Sequence, residues 1–133
     1  MTILFIEDDQ IETMKLQRTV SRHGLNHTII EAKNGEEALE VLNTAEKLPD
    51  IILLDLNMPK MNGIEFLKIL KADSKIKYLP TIILTTSENR TDLLECYKTG
   101  IAGYVIKPLK YEDYEDKLIK VFSYWDVNEL VKA

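Results

Sequence analysis

Four short apolar runs in this sequence end at residues that could do chemistry. The acidic cluster Glu7-Asp8-Asp9 follows the first run, and Asp55 follows the second. Thr85 closes a third run, and Lys107 closes a fourth. Continuous apolar runs of this length are typical of strands that are buried on both faces of a parallel sheet. Because the carboxyl ends of parallel strands meet at one edge of the sheet, these acids, the hydroxyl and the base are predicted to converge there.

The carboxylates at the first two of these strand ends predict a cation site. Carboxylates that lie within several Å of one another repel and resist ionisation unless a cation joins them. All-oxygen ligation favours Mg²⁺, which keeps several waters and takes only a few protein carboxylates, so that phosphoryl oxygens have room to bind. Glu7, Asp8 and Asp55 therefore predict a magnesium site suited to phosphoryl transfer, in which the protein mainly positions groups and stabilises charge.

The elements that position these residues alternate between short apolar runs and longer amphipathic segments. This alternation predicts five strand-helix units and a parallel sheet covered on both faces. Asn34 is expected to cap the second helix, with Glu37 at the third helical position. The segment from Asn89 to Lys98 has few apolar residues, so its helix is expected to be thinly anchored. The strands are predicted near Thr2 to Ile6, Thr28 to Glu31, Ile51 to Leu54, Thr81 to Leu84 and Gly103 to Ile106.

The last predicted helix shows the clearest periodicity in the chain. Its apolar and aromatic residues recur at steps of three and four, which indicates one packed face. These residues are Tyr111, Tyr114, Leu118, Val121, Phe122 and Trp125.

Length and composition indicate one globular domain. The 133 residues are expected to form a core from about residue 2 to 125, with a short C-terminal extension over residues 126–133 that is too short for an output domain. No apolar stretch approaches the ~20 residues of a membrane helix, so no membrane contact is expected. The net charge of −5, without a segment rich in Lys and Arg, argues against a nucleic-acid surface. No secretory leader follows Met1, and the cytoplasm is the expected compartment.

The ordered set of strand-end residues resembles the receiver domain of bacterial two-component response regulators. The resemblance extends from Ile3 to about Trp125 and implies a flavodoxin-like (βα)5 fold, with a doubly wound five-stranded parallel sheet in strand order 2-1-3-4-5. It implies a stand-alone regulator of a two-component or phosphorelay system, similar to chemotaxis regulators. The residues that carry it are Glu7-Asp8, Asp55, Asn57-Met58-Pro59, Met61-Asn62-Gly63, Thr85, Gly103-Tyr104 and Lys107-Pro108.

The resemblance implies a role for each site residue. Asp55 is the phosphoacceptor, which takes a phosphoryl group from a phosphohistidine of a sensor histidine kinase or a histidine phosphotransfer protein. Asp8 is a direct magnesium ligand, and Glu7 acts mostly through metal-bound water. The main-chain carbonyl of Asn57 is a further magnesium ligand. Lys107 would pair with a phosphoryl oxygen.

The resemblance also implies a switch. The Thr85 hydroxyl would bind the phosphoryl oxygens and draw its loop inward, and the vacated space would let Tyr104 rotate from an exposed to a buried position. The face made by the fourth helix, fifth strand and fifth helix would then display the phosphorylation state to a downstream output protein. Whether homodimers use the same face stays open. The residues expected to contact the output protein are Tyr104, Lys110, Tyr111 and Tyr114.

The acidic run departs from the family pattern. It holds three carboxylates where the pattern uses two. We assign Glu7 and Asp8 to the two acidic positions of the pattern, whereas a register one residue later would assign Asp8 and Asp9. Thr86 adds bulk where relatives commonly have a small residue, which would alter access or switching. The Lys107–Pro108 bond is expected to be cis, as in relatives.

Two other classes of protein are alternatives. A phosphatase of the haloacid dehalogenase type would need an Asp two residues after the nucleophile, where Asn57 stands. A flavodoxin-like cofactor binder would need a phosphate loop rich in Ser, Thr and Gly after the first strand, where the acidic run would repel a phosphate. Catalysis is expected to be limited to the chain's own phosphorylation and dephosphorylation, so the chain is not expected to be an enzyme.

Overall fold

The structure is a computed structural model that describes residues 1–131 of the chain. Within this range strands and helices alternate without exception, as the sequence predicts. The strands are β1 (Thr2–Ile6), β2 (Thr28–Ala32), β3 (Ile51–Leu54), β4 (Thr81–Thr85) and β5 (Gly103–Ile106). The helices are α1 (Gln10–Arg22), α2 (Gly35–Thr44), α3 (Gly63–Ala72), α4 (Arg90–Thr99) and α5 (Tyr111–Asp126).

The five strands form one parallel sheet in the order β2-β1-β3-β4-β5, which confirms the predicted flavodoxin-like topology. The strand order reverses between β1 and β3, and a crevice at such a point is where open α/β sheets bind ligands. In the β1–β3 ladder Ile6 is the partner of Leu54, and the Asp55 N–H donates to the Ile6 carbonyl at 3.0 Å. The residues that follow these two strands, Glu7 and Asp55, are therefore brought side by side.

The apolar runs are continuous because the sheet is covered on both faces. Successive strand residues point to opposite faces, so one strand must supply two cores. In β1, Leu4 and Ile6 belong to a cluster with residues of α2 and α3, whereas Ile3 and Phe5 belong to a second cluster with residues of α1 and α5. All four of these β1 side chains are buried. The packing of the two cores therefore fixes the positions of the strand ends.

Helix α2 begins where the sequence predicts, and α4 is as thinly packed as predicted. The Asn34 side chain accepts a hydrogen bond from the Glu37 N–H at 2.9 Å, which satisfies a backbone donor of the first helical turn. In α4 the buried residue is Cys96, and the exposed side chains include Leu94 and Tyr97. Local opening is therefore expected to cost less in α4 than in the other helices.

Two further expectations concern the backbone and the C-terminus. No cis peptide bond occurs in residues 1–131, so the expectation of a cis Lys107–Pro108 bond is wrong; trans is the lower-energy form even before proline. Helix α5 ends at Asp126, and the last two residues of the predicted extension, 132 and 133, lie outside the described part of the chain. None of the described helices has both the length and the apolar character needed to cross a membrane.

Candidate functional site

Three carboxylates converge at the carboxyl edge of the sheet. Glu7 follows β1 and Asp55 follows β3, and Asp8 lies beside them at the start of the β1–α1 connection. One carboxylate oxygen from each of the three residues lies within 4.8 Å of the other two. Glu7 and Asp55 are buried, whereas Asp8 is exposed, so the cluster opens to solvent on the Asp8 side. The convergence predicted for these strand ends is present.

Asp9 has a different position from its two neighbours. It is the N-cap of α1, and its Oδ1 accepts a hydrogen bond from the Ile11 N–H at 2.9 Å. A carboxylate in this position satisfies a backbone donor and interacts favourably with the positive end of the helix dipole. The structure therefore places Glu7 and Asp8 in the acidic cluster, which is the earlier of the two registers considered above.

Burial of the carboxylates perturbs their ionisation. Burial raises the pKa of Glu7 to about 7, although the hydrogen bond and charge of Lys107 oppose this change and the nearby Asp55 charge adds to it. Burial likewise raises the pKa of Asp55, against the opposing effects of Lys107 and of hydrogen bonds from Glu7, the Asn57 backbone and Thr85. A divalent cation at this cluster would relieve the repulsion and favour both ionised forms. All-oxygen donors fit a hard divalent cation.

Lys107 supplies positive charge to the same cluster. It follows β5, its side chain is only 6% exposed, and its backbone N–H donates to the Thr85 carbonyl at 2.8 Å. The ammonium donates to Glu7 Oε1 at 2.7 Å and lies 3.6 Å from Oε2 of Glu12. Burial lowers the pKa of Lys107, but the hydrogen bond and charge of Glu7, together with the charges of Asp55 and Glu12, raise it above its usual value overall. Lys107 therefore stays protonated as a counter-charge.

Thr85 and Tyr104 are joined through Ser87 in the β4–α4 loop. Thr85 is fully buried at the end of β4, and its hydroxyl accepts a hydrogen bond from the Ser87 N–H at 3.3 Å. The Tyr104 hydroxyl donates to the Ser87 carbonyl at 2.9 Å. Tyr104 is half-buried and packs against the core beneath α4. A displacement of Thr85 therefore has a direct hydrogen-bonded route to Tyr104, whereas Thr86 points outward and is exposed.

The β3–α3 connection holds Asp55 by close packing. The Gly63 N–H donates to the Leu56 carbonyl at 3.0 Å, and a Cβ on Gly63 would lie 2.5 Å from the Asp55 carbonyl oxygen. Only glycine permits the first turn of α3 to approach the Asp55 backbone so closely. Asn57 is exposed in this connection, and its backbone opposes the rise in the pKa of the Asp55 carboxyl. The role of its carbonyl as a metal ligand stays a prediction.

Glu12 is a site residue that the sequence analysis did not identify. It occupies the third position of α1 after the Asp9 cap, and this Asp-x-x-Glu spacing is typical of a capping box. In a capping box the Glu side chain would accept from the Asp9 N–H, but that N–H donates to Glu7 Oε2 at 3.2 Å. Glu12 instead lies near Lys107. The Asp-x-x-Glu spacing could therefore have drawn attention to Glu12, but it predicts helix capping and not a contact with Lys107.

The predicted output surface requires a correction on α5. Tyr114 is fully buried and lies under the Lys15 ammonium, which is 4.6 Å from its ring centroid, so it cannot contact a partner. Tyr111 is half-buried, and its hydroxyl lies 3.3 Å from the Thr19 hydroxyl on α1. Helical periodicity turns both rings toward α1. Lys110 is exposed, and Tyr104 is accessible from the β5 side.

Comparison with known proteins identifies the family of the chain. The sequence model described as "Response regulator receiver domain" matches residues 3–119. The chain is 33% identical over 123 residues to "Chemotaxis protein CheY-3" of Vibrio cholerae, covering 92% of each. The structure is similar to that of the phosphorylated cyanobacterial phytochrome response regulator RcpA, with a TM-score of 0.91, 27% identity, and 97% and 96% of the two chains covered.

A second solved structure is the Mn²⁺-bound form of the response regulator Rcp1. Its TM-score is 0.89, its identity is 28%, and 98% of each chain is covered. Neither the phosphatase nor the flavodoxin-like alternative is favoured by these likenesses. The chain belongs to the response regulator receiver domain family, and its function is phosphorylation-based two-component signalling.

Proposed function

We propose that Asp55 is the phosphoacceptor of this receiver. One observation carries the proposal: the buried Asp55 carboxylate lies among Glu7, Asp8, the Thr85 hydroxyl and the Lys107 ammonium at the carboxyl edge of the sheet. A carboxylate so placed has anionic ligands for a cation on one side and donors for phosphoryl oxygens on the other. This arrangement stabilises the charge that develops in phosphoryl transfer.

The proposed reaction is a phosphoryl transfer from a phosphohistidine. An Asp55 oxygen forms a bond to phosphorus while the P–N bond breaks, and the leaving imidazole takes up a proton. The product is an acyl phosphate. Lys107 would leave Glu7 to pair with a phosphoryl oxygen, and the Thr85 hydroxyl would donate to another. Hydrolysis of the acyl phosphate then restores the Asp55 carboxylate.

Mg²⁺ is the proposed cofactor. The cluster offers carboxylate oxygens only, two of them from buried residues whose pKa values are raised, and this donor set suits a hard divalent cation. The similar Rcp1 has a Mn²⁺-bound form, which supports the binding of a divalent ion by this chain. Asp8, Glu7, Asp55 and the Asn57 carbonyl would hold the ion. When bound, it would neutralise charge on the phosphoryl oxygens.

The proposed partners are a sensor histidine kinase or histidine phosphotransfer protein as donor, and a separate output protein. The output surface that fits the structure is the shallow groove between the β5 edge and α5, because Tyr104 is one of the residues that line it. The groove is lined by Tyr104, Val105, Ile106, Lys117, Lys120 and Val121. The proposed compartment is the cytoplasm, where ATP-derived phosphoryl donors are made. No catalysis beyond self-phosphorylation and dephosphorylation is proposed.

The experiment is intact-mass analysis after incubation with Mg²⁺ and acetyl phosphate. The wild-type chain is expected to gain one phosphoryl group only when Mg²⁺ is present, and Asp55→Asn is expected to gain none. Asp9→Asn is the matched control, because Asn is as good an N-cap as Asp and Asp9 lies outside the cluster. It should be phosphorylated like the wild type.

Two further measurements decide the remaining outcomes. If no mass gain appears, beryllofluoride should be added as an acyl-phosphate mimic, since a short-lived product escapes detection. Failure of the wild type to bind beryllofluoride with Mg²⁺, or phosphorylation of Asp55→Asn, would refute the assignment. Turnover of a phosphate ester by the purified chain would instead support the phosphatase alternative.

A further inference from the structure

Two cations must compete for Glu7 if the proposed function is correct. Glu7 Oε1 accepts a hydrogen bond from Lys107 at 2.7 Å, and the same carboxylate supplies an oxygen to the cluster with Asp8 and Asp55. Both side chains of the Glu7–Lys107 pair are almost fully buried. A buried ammonium that loses its carboxylate partner carries a large desolvation penalty. Binding of a divalent ion by Glu7 therefore requires another acceptor for Lys107.

Glu12 is placed to be that acceptor. Its Oε2 lies 3.6 Å from the Lys107 ammonium, just beyond hydrogen-bond distance. This oxygen is buried and has no hydrogen-bond partner among residues 1–131. The other oxygen, Oε1, lies 3.4 Å from the Lys15 ammonium, which holds the carboxylate from the α1 side. A buried carboxylate oxygen without a hydrogen bond is costly, so a small movement of Lys107 toward it would be favourable.

The local sequence does not require this arrangement. At the third position of α1, Glu12 would ordinarily accept from the N-cap backbone, but Glu7 Oε2 already accepts from the Asp9 N–H at 3.2 Å. The two Glu side chains thus have complementary positions: Glu7 takes the helix-cap donor, and Glu12 is left facing Lys107. Both are linked to the same ammonium, so a change at Glu7 is transmitted to Glu12 through Lys107.

We propose that Glu12 is a positioning residue that receives the Lys107 ammonium when Glu7 turns to a divalent cation. In this role Glu12 acts through Lys107 and touches neither the phosphoryl group nor the metal. It keeps the buried Lys107 ammonium paired with a carboxylate and so lowers the cost of releasing Glu7. The inference rests on the proposed function of Asp55 and Mg²⁺, which it extends to the residue that makes the exchange of partners possible.

The test is a double-mutant cycle on Mg²⁺ affinity, measured by isothermal titration calorimetry on the full chain. The variants are Glu12→Gln, Lys107→Met and the double variant. Glu12→Gln keeps the size and helix propensity of the side chain, and it is expected to weaken Mg²⁺ binding about tenfold, as is usual when an outer partner of a metal ligand is lost. In the Lys107→Met background the same substitution should change the Kd less than about twofold, because the two residues act as one unit.

Glu31→Gln is the matched control for charge. Glu31 is exposed on β2 and lines a second pocket, which also contains Asp8. The substitution therefore removes a nearby negative charge without changing a contact of Lys107. It is expected to weaken Mg²⁺ binding about twofold or less, since exposed charges interact weakly. Glu12→Asp, with a shorter side chain, is a second variant that should behave like Glu12→Gln. Cooperative thermal unfolding of each variant checks that it folds.

The outcomes separate this inference from the proposed function. An equal loss of Mg²⁺ affinity from Glu12→Gln in both backgrounds, or a loss no larger than that of Glu31→Gln, would overturn the role of Glu12 while phosphorylation of Asp55 stands. If the wild type binds Mg²⁺ but is not phosphorylated, the proposed acceptor fails, and the cycle still measures the coupling of Glu12 to Lys107. Absence of Mg²⁺ binding by the wild type would overturn both.

Discussion

A single methyl group at Gly63 is expected to disturb both stability and phosphorylation. A Cβ on Gly63 would lie 2.5 Å from the Asp55 carbonyl oxygen and 2.8 Å from the Leu56 Cα. Ordinary contacts of a Cβ begin at 3.4 Å, so the chain must move by about 0.6 to 0.9 Å. Both contacts are with backbone atoms, which cannot rotate away. The segment follows β3, which pairs on both sides with β1 and β4.

The magnitude follows from two opposing effects. Overpacking at a site that cannot relax costs about 3 kcal/mol, the upper part of the usual range. Replacing Gly by Ala at a helical position returns about 0.5–1 kcal/mol through lower unfolded-state entropy and better helix propensity. We therefore expect Gly63→Ala to lower the free energy of unfolding by about 2 kcal/mol, which corresponds to a fall in Tm of about 7 °C for a domain of this size.

The assay is equilibrium urea unfolding, with phosphorylation by acetyl phosphate measured in parallel. Displacement of the Asp55 backbone by about half an Å should slow phosphorylation roughly tenfold at saturating Mg²⁺. Gly103→Ala is the matched control, because a Cβ there would meet only Ile82 Cγ2, at an ordinary 3.8 Å. It should change stability by less than about 1 kcal/mol. If Gly63→Ala is as stable and as reactive as Gly103→Ala, the reasoning from close approach is wrong.

Three further predictions concern the ionised cluster and the switch. Lys107→Met leaves the Glu7 carboxylate without its buried counter-charge, so it should lower the free energy of unfolding by about 3 kcal/mol at pH 8. The loss should be clearly smaller at pH 5, where Glu7 is protonated. Urea unfolding at the two pH values measures the difference, and an equal loss at both would contradict the pairing. In the metal-free protein, burial raises the pKa of Glu7 from 4.5 to about 7, so the folded state binds more protons than the unfolded state between these values, and stability should fall as pH rises through this window. Glu7→Gln should remove that part of the pH dependence, and the same slope in both proteins would count against it. Tyr104→Phe removes the hydrogen bond to the Ser87 carbonyl, so it should cost about 1 kcal/mol and speed amide exchange in the β4–α4 loop and α4, whereas unchanged exchange there would show that the bond does not hold the loop.

The fold could be predicted because its determinants are local. Each apolar run is continuous since each strand is covered on both faces. The N-cap residue Asn34 indicates the start of α2 from the sequence alone. The residues that close the runs, such as Asp55 and Thr85, could be assigned to one edge because parallel strands all point the same way. The order of the strands was not among these local features; it was implied by the resemblance to receiver domains.

Partner choice among side chains could not be predicted in the same way. The Asp-x-x-Glu spacing at the start of α1 indicates a capping box, yet Glu7 accepts from the Asp9 N–H and Glu12 faces Lys107. Glu7 and Glu12 are both possible acceptors for the Asp9 N–H and for the Lys107 ammonium. Distances between elements that are far apart in the chain decide which carboxylate accepts from which donor. Tyr114 shows the same limit, because its helical spacing marks a packed face without saying that α1 covers it.

The sequence by itself determined the alternation of strands and helices in a parallel sheet and the meeting of Glu7, Asp8 and Asp55 at one edge, because apolar periodicity and strand direction constrain these features. The resemblance to receiver domains supplied the order of the strands. Only the tertiary structure decided that Lys107 pairs with Glu7, that Glu12 lies behind this pair, and that Tyr114 is buried rather than displayed. Helix rotation and the distance between layers set such contacts to within about an Å, and they depend on the packing of both cores together.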